Sequence, residues 1–368
     1  MTGAGGDTVD LLVVGAGMAG LAATRRLLEN ESMKTHRILV VDKGRQVGGR
    51  MALRRRGTAA FDTGAQFFTA RDPAFTSVVE QAAAAEAIRP WFTTRESLWR
   101  GVKGMTDLPK WLAAQIRSAS GTMDSPVEIS LNTRIAGIEL DGDDPVQFLV
   151  RFVEDRPPIR AVAVIASPPV LQILDIAGPR LTRTLPNGIE TIQYAPCLAL
   201  LIELSQPAPP WLGEHGMARL PTHGVDSIVD NTTKGIAGDA ISAWTVHFSG
   251  EISSRHYDRE ETAIVSALTA HIVDSLRTTY PDWARGSHGR AFLDEIEAAP
   301  ASGHAWLKKW RYAKPLQTWP ARFARSAEGT APFYLVGDAF GGPRVEGAFL
   351  SGTDAAETLL QDLDSKAL

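Results

Sequence analysis

The chain has 368 residues, 44% of them hydrophobic, with 38 Lys and Arg against 42 Asp and Glu for a formal charge of −4. That length supports two packed cores, and that balance leaves no basic field for nucleic acid or anionic lipid. The single cysteine, Cys197, excludes an internal disulfide framework and a cysteine-built zinc or iron–sulfur site, so no metal is expected. No apolar run reaches the roughly 18 residues needed to cross a bilayer, and residues 1–10 lack the features of a secretory leader, so a cytoplasmic setting is expected.

Residues 9–42 read as one β-turn-α-β unit. The apolar strand Leu11-Leu12-Val13-Val14 runs into Gly15-Ala16-Gly17-Met18-Ala19-Gly20, then a helix over 18–30, then a strand over 37–41 ending at Asp42. Both strands are continuous apolar runs, the pattern of parallel strands buried on two faces. Gly48-Gly49-Arg50 follows, then Arg54-Arg55-Arg56, read as a solvated turn or as a contact to a substrate phosphate, then Phe61-Asp62-Thr63-Gly64-Ala65-Gln66-Phe67-Phe68. A helix is expected over 73–87, a short antiparallel stretch over 91–99, and a second helix over 104–117 from the spacing of Met105, Leu108, Trp111, Leu112 and Ile116.

Short apolar or alternating blocks over 127–129, 134–140, 146–153 and 161–165 predict a small antiparallel meander, with Asp141-Gly142-Asp143-Asp144-Pro145 as a hairpin turn. Pro168-Pro169 opens a helix to about 176. The middle, 184–290, changes texture: antiparallel strands over 195–204, 227–231 and 240–248 and one helix over 259–278. The end returns to the opening style, with Phe333-Tyr334-Leu335-Val336 entering Gly337-Asp338 and then Gly347-Ala348-Phe349 at the start of a helix. The expected fold is α/β, a Rossmann-like nucleotide domain (1–72, 104–180 and 320–368) interrupted by an antiparallel α+β substrate domain (73–103 and 181–319).

In Gly15-x-Gly17-x-x-Gly20 the glycines allow the tight turn, the close approach of a pyrophosphate and the packing of helix on strand. The phosphates then meet the free N–H groups around Met18 and Ala19, where the helix dipole favours negative charge. Asp42, about twenty residues on, is positioned to accept both ribose hydroxyls and to repel a ribose 2′-phosphate. Gly48, Gly49 and Arg50 would follow and neutralise the diphosphate. A second glycine motif more than 300 residues later places Asp338 at ribityl or phosphate oxygens and the helix opened by Gly347 at the pyrimidine of a flavin. Together the two ends predict non-covalently bound FAD.

Asp42-Lys43, Gly48-Gly49-Arg50-Met51, Phe61-Asp62-Thr63-Gly64-Ala65-Gln66-Phe67-Phe68-Thr69-Ala70-Arg71, Trp310-Arg311-Tyr312-Ala313 and Arg344-Val345-Glu346-Gly347-Ala348-Phe349-Leu350-Ser351-Gly352 resemble the renalase family, especially its bacterial branch, within the amine-oxidase-like flavoproteins. The resemblance spans nearly the whole chain and implies an amine-oxidase/hydroxybenzoate-hydroxylase-like fold. It also implies oxidation of 2-dihydro and 6-dihydro isomers of NAD(P), with O2 as acceptor and NAD(P)+ and hydrogen peroxide as products. By the same resemblance Gly64, Ala65, Gln66 and Phe67 line the flavin, and Asn231 and His247 face the substrate with Trp310. Lys43 and Ile135 join the cofactor set; His247, Trp310, Asn231 and Gln66 form the catalytic set.

A dihydropyridine loses hydride under the push of its ring nitrogen, so the chemistry asks for positioning within about 3–3.5 Å and no general base. Strand alternation puts Thr245 and His247 on one face, and Trp310 and Tyr312 on the face opposite Arg311. Lys309 reads as a solvated residue or as a lysine beside the flavin. Two alternatives stand: an amine oxidase, which would call for an aromatic cage of paired tyrosines, and a flavin-loaded binding protein without turnover, which would show an exposed apolar patch.

Overall fold

Strand Thr8–Val14 lies between two parallel neighbours, Ile38–Val41 on one side and Ile159–Ala166 on the other. The computed structural model describes residues 7–366 apart from 57–58, 122–126, 143–145, 237 and 239. The sheet built on this strand has eight strands, with Phe333–Leu335 parallel to Ile159–Ala166 and Ala324–Arg325 at the edge. Both termini of the described chain therefore feed one sheet. Helix Met18–Leu28 covers one face together with helix Val345–Lys366, and their contact belongs to a core that includes Leu21, Leu27, Leu359 and Phe349. Each fully buried side chain of this size contributes about 1.5–3 kcal/mol.

The expected antiparallel meander is corrected in part. Ile135–Leu140, Phe148–Phe152 and the start of Ile159–Ala166 do pair antiparallel. Glu128–Ser130, however, pairs parallel with Ile38–Val41, and Ile159–Ala166 continues into the centre of the parallel sheet. Its last four residues are buried without alternation, the signature of a strand covered on both sides. Part of the predicted hairpin turn, 143–145, lies outside the described residues. The triple-arginine run is also corrected. Leu53–Arg56 is a strand paired with Ala59–Asp62, and Arg54 Nη1 donates to the Leu307 carbonyl at 3.0 Å.

A second, antiparallel sheet runs Met217–Leu220, Val225–Asp230, Ser242–Phe248, Tyr194–Leu204, Ala305–Pro315. Leu198, Leu200, Trp244, Val246 and Phe248 bury one face against helices Glu261–Thr279 and Ser287–Ser302. The expectation of a single helix in this region misses Gly250–His256, Pro281–Arg285 and Ser287–Ser302. The last of these is masked in sequence by Gly286 before it and Pro300 inside it, two residues that ordinarily mark helix boundaries. The alternate residues Leu201, Ala243 and Trp306 face the other way and pack on Phe61 of Ala59–Asp62. The loop that follows Asp62 is thereby pressed against the second sheet.

Candidate functional site

At the nucleotide end, Asp42 caps strand Ile38–Val41. Its Oδ2 accepts the Ala16 N–H at 2.7 Å and its Oδ1 accepts the Gly44 N–H at 2.6 Å. Each oxygen keeps a further lone pair for a hydroxyl. Helix Met18–Leu28 begins at Gly17 with no side chain capping it, and no atom stands within 4 Å of where a Gly17 Cβ would be. Uncapped first-turn N–H groups beside open space suit a diphosphate. The Gly48 N–H donates to the Ala16 carbonyl at 2.8 Å, tying the second glycine loop to the first. Lys43 Nζ reaches Gln172 Oε1 at 3.2 Å, its pKa lowered by burial and then by Arg134. Ile135 lies in the core behind the sheet with Val41 and Phe152.

Arg50 and Asp338, expected to serve the cofactor separately, meet each other. The guanidinium spans both carboxylate oxygens at 2.8 and 2.5 Å and also donates to the carbonyls of Tyr312 and Ala313. This bidentate pair joins the two ends of the chain to the strand carrying Trp310. Gly337 N–H donates to Ser351 Oγ at 2.9 Å. Gly347 and Ala348 lie in the first turn of Val345–Lys366, but Phe349 is a core residue, its ring 5.0 Å from that of Phe75. Glu346 Oε1 accepts the N–H groups of Arg71 and Asp72 at 2.6 and 2.7 Å.

The loop 62–68 is clamped from two sides. A Cβ on Gly64 would stand 1.9 Å from the Arg50 carbonyl oxygen, so only glycine allows this approach. Ala65 N–H donates to that same oxygen at 2.9 Å. From the other side the Thr63 carbonyl accepts Trp310 Nε1–H at 2.7 Å and His247 Nε2–H at 3.1 Å. A carbonyl partner requires the proton on Nε2, which leaves Nδ1 to accept from Ser227 Oγ at 3.3 Å. Burial lowers the His247 pKa, ahead of the opposing hydrogen bond, and the ring is neutral at pH 7.

The residues expected to face the substrate all make contacts within the protein. His247 has both nitrogens engaged inside the protein and braces the Thr63 carbonyl. Asn231 is fully buried; its Oδ1 accepts the Asp62 N–H at 3.2 Å and its Nδ2 donates to Ala243 and Thr245. Gln66 turns inward, Nε2 donating to the Asp62 carbonyl at 2.6 Å and to that of Gly64 at 3.1 Å, with Oε1 buried and unpartnered. Phe67 stays at the loop's outer side, 6.2 Å from the Trp91 ring. Trp310 shares its strand face with Lys308, whose Nζ lies 4.3 Å from the indole centroid. Lys309 and Arg311 turn to the opposite face and pack over Tyr257.

Sequence reasoning misses the strongest polar contact of the loop. Lys234 Nζ lies 2.7 Å from Asp62 Oδ2 and also donates to the Gln66 carbonyl, and neither charged side chain is exposed at all. Asp62 Oδ1 accepts the Met105 N–H at 2.8 Å. The turn bearing Lys234 is built by Asp230, whose carboxylate accepts from Thr233, Ser242 and Ala243. In sequence, Thr232-Thr233-Lys234-Gly235 is indistinguishable from a solvated turn. The one available signal is Asp62, a carboxylate closing an apolar strand that needs a cation if buried.

Among the described residues no group of His, Cys, Asp and Glu could hold a metal ion, and no helix is long and apolar enough to cross a membrane. Residues 75–360 match the family model described as flavin containing amine oxidoreductase, and residues 13–82 match that of a NAD(P)-binding Rossmann-like domain. The chain is similar in structure to a protein described as a protoporphyrinogen oxidase of Exiguobacterium sp. 255-15, at 11% identity and a TM-score of 0.63 over 97% of this chain and 99% of that one. It is similar to cyclohexylamine oxidase from Brevibacterium oxydans IH-35A, at 13% identity and a TM-score of 0.60 over 97% and 99%. Putrescine oxidase bound to putrescine follows the same chain path, at 13% identity and a TM-score of 0.58 over 96% and 99%. At such identities the likeness establishes the fold, and the flavin family together with the Rossmann unit makes FAD the cofactor.

Proposed function

Since the chain belongs to the flavin containing amine oxidoreductase family and is an FAD-dependent oxidoreductase, we propose that its substrates are the 2-dihydro and 6-dihydro isomers of NAD(P), as the renalase resemblance implies. One observation carries the choice of substrate. The sheet face opposite Thr63 presents a cation stacked on an aromatic ring, Lys308 on Trp310 at 4.3 Å. Burial and the nearby Lys43 both lower the Lys308 pKa, so a second positive charge is unwelcome there. An aminium substrate meets repulsion at this face, whereas a diphosphate-bearing one meets attraction.

The nearby carboxylates are already engaged: Asp338 by Arg50, Glu346 by two backbone N–H groups and Asp62 by Lys234. Tyr194 and Tyr312 touch edge to face at 5.6 Å and 79°, and so do not form the facing walls of an amine cage. The engagement of these three carboxylates suits a dihydropyridine, whose own nitrogen drives the loss of hydride. Bound FAD supplies the two-electron acceptor. The protein's part is to hold the Thr63–Gln66 loop and to place the ring against it. Overall, dihydro-NAD(P), a proton and O2 give NAD(P)+ and hydrogen peroxide.

The test is anaerobic mixing of the FAD-loaded protein with 2-dihydro-NAD, 6-dihydro-NAD, ordinary NADH and a panel of amines, followed by flavin absorbance. Rapid bleaching by the isomers alone is expected. Bleaching by amines and by neither isomer overturns the proposal.

A further inference from the structure

Behind the clamped loop lies a buried group of charges that does not balance. Lys234 Nζ, 2.7 Å from Asp62 Oδ2, also donates to the Gln66 carbonyl and lies 5.0 Å from the centroid of the Trp91 ring. Arg100, on strand Ser97–Gly101, is 5% exposed. Its Nη1 donates to the carbonyls of Gly101 and Val102 at 3.0 and 3.2 Å, and its Nε is buried without a partner. The two cations are neighbours. Gly235, next to Lys234, adopts φ +80°, and a Cβ there would stand 3.1 Å from Arg100 Nη2. Among the described residues no carboxylate pairs with Arg100.

The buried members are two cations and one carboxylate, which leaves one net positive charge. The other charges acting on the group, the exposed Arg89 and the half-buried Asp107, are of opposite sign and offset each other. A buried charge without a counter-ion is costly, and its field reaches further than it would in water. The same loop touches the cofactor motifs on its other side. Gly64 and Ala65 pack on the Arg50 carbonyl, and the Arg50 guanidinium holds Asp338 of the second glycine motif. A hydride delivered to a neutral isoalloxazine brings two electrons and one proton, so the reduced ring carries one negative charge unless a second proton follows.

We propose that Lys234, Arg100 and Asp62 together form a fixed positive centre that favours the anionic reduced flavin over the oxidised one and so raises the flavin's midpoint potential. The three act across the loop by their field and are positioning residues. The inference rests on FAD as the cofactor and on loop 62–68 lying beside it, and it is independent of which substrate supplies the hydride.

The experiment is anaerobic spectroelectrochemical titration of the FAD-loaded wild type, Arg100→Gln, Lys234→Met, Asp62→Asn and the double variant Lys234→Met/Asp62→Asn. It reads the ratio of reduced to oxidised flavin at one fixed potential. Arg100→Gln and Lys234→Met should each lower that ratio about tenfold, a fall of about 30 mV for a two-electron couple. Asp62→Asn should raise it by a similar factor. The double variant keeps the net charge and should stay within about twofold of wild type. A merely structural role does not give opposite signs to two variants that break the same ion pair. Should Lys234→Met or Asp62→Asn fail to hold FAD, Arg100→Gln and the double variant decide, with a lowered ratio expected in the first and an unchanged one in the second. Any other pattern of signs, or ratios all within about twofold of wild type, overturns the proposal. Because no substrate is added, the result stands whether or not dihydro-NAD bleaches the flavin.

Discussion

Lys234 Nζ and Asp62 Oδ2 lie 2.7 Å apart with both side chains wholly shielded from solvent. The pair links the turn after strand Val225–Asp230 to the loop 62–68. Removing one member strands the other charge in a medium that cannot solvate it, at a cost of about 3–5 kcal/mol. Lys234→Met should therefore lower the unfolding free energy by that amount. Lys234→Met/Asp62→Asn should lower it by less, because Asn keeps an acceptor for the Met105 N–H. Denaturant melts of the three proteins check this, and a double variant less stable than the single would refute the pairing.

Trp310 and His247 converge on one acceptor, the Thr63 carbonyl, at 2.7 and 3.1 Å. Trp310→Phe keeps an aromatic ring but deletes the shorter bond. Loss of one bond costs about 0.5–1.5 kcal/mol in stability, and the loosened loop should slow flavin reduction by dihydropyridine about 10- to 100-fold. Stopped-flow absorbance at matched flavin occupancy measures it. A rate within twofold of wild type would leave Trp310 a packing residue only.

Burial lowers the His247 pKa below its ordinary 6.5. The unfolded chain therefore takes up a proton near pH 6.5 while the folded ring does not, so stability falls as pH drops from above 6.5 toward the lower folded pKa. The wild type should lose more unfolding free energy between pH 8 and pH 5, values spanning that transition, than His247→Asn, which has nothing to titrate. Parallel pH dependences for the two proteins would show that the ring is not held neutral.

Asp42→Ala leaves the Ala16 and Gly44 N–H groups without their acceptor and removes the carboxylate that we propose accepts the ribose hydroxyls. FAD affinity should fall by about 1–3 kcal/mol, roughly 5- to 150-fold. Fluorescence titration of the flavin-stripped protein reads this directly. Unchanged affinity would displace Asp42 from the cofactor site.

Local pattern suffices for the elements that bind the dinucleotide. Gly15, Gly17 and Asp42 are legible because a strand, a tight turn and a helix must follow one another within a few residues, and their apolar periodicity announces each. The Arg50–Asp338 pair was not legible as a pair: both residues sit in recognisable motifs, but their contact spans 288 positions. Motifs near Gly64 and Trp310 mark the loop and the strand that meet at the Thr63 carbonyl.

Which groups brace that face, and which are spent inside the protein, was decided by packing. His247 and Asn231 read as facing the substrate and Gln66 as lining the flavin, yet the second sheet brings the first two onto the backbone of Thr63 and Asp62, and Gln66 folds back on its own loop. Lys234 reads as an ordinary surface lysine, and it is buried because Asp230 folds its turn back against Asp62. Residue type determines what hydrogen bonds a side chain is able to make. Long-range burial determines which partner is nearest once water is gone, and no periodicity along the chain encodes that choice.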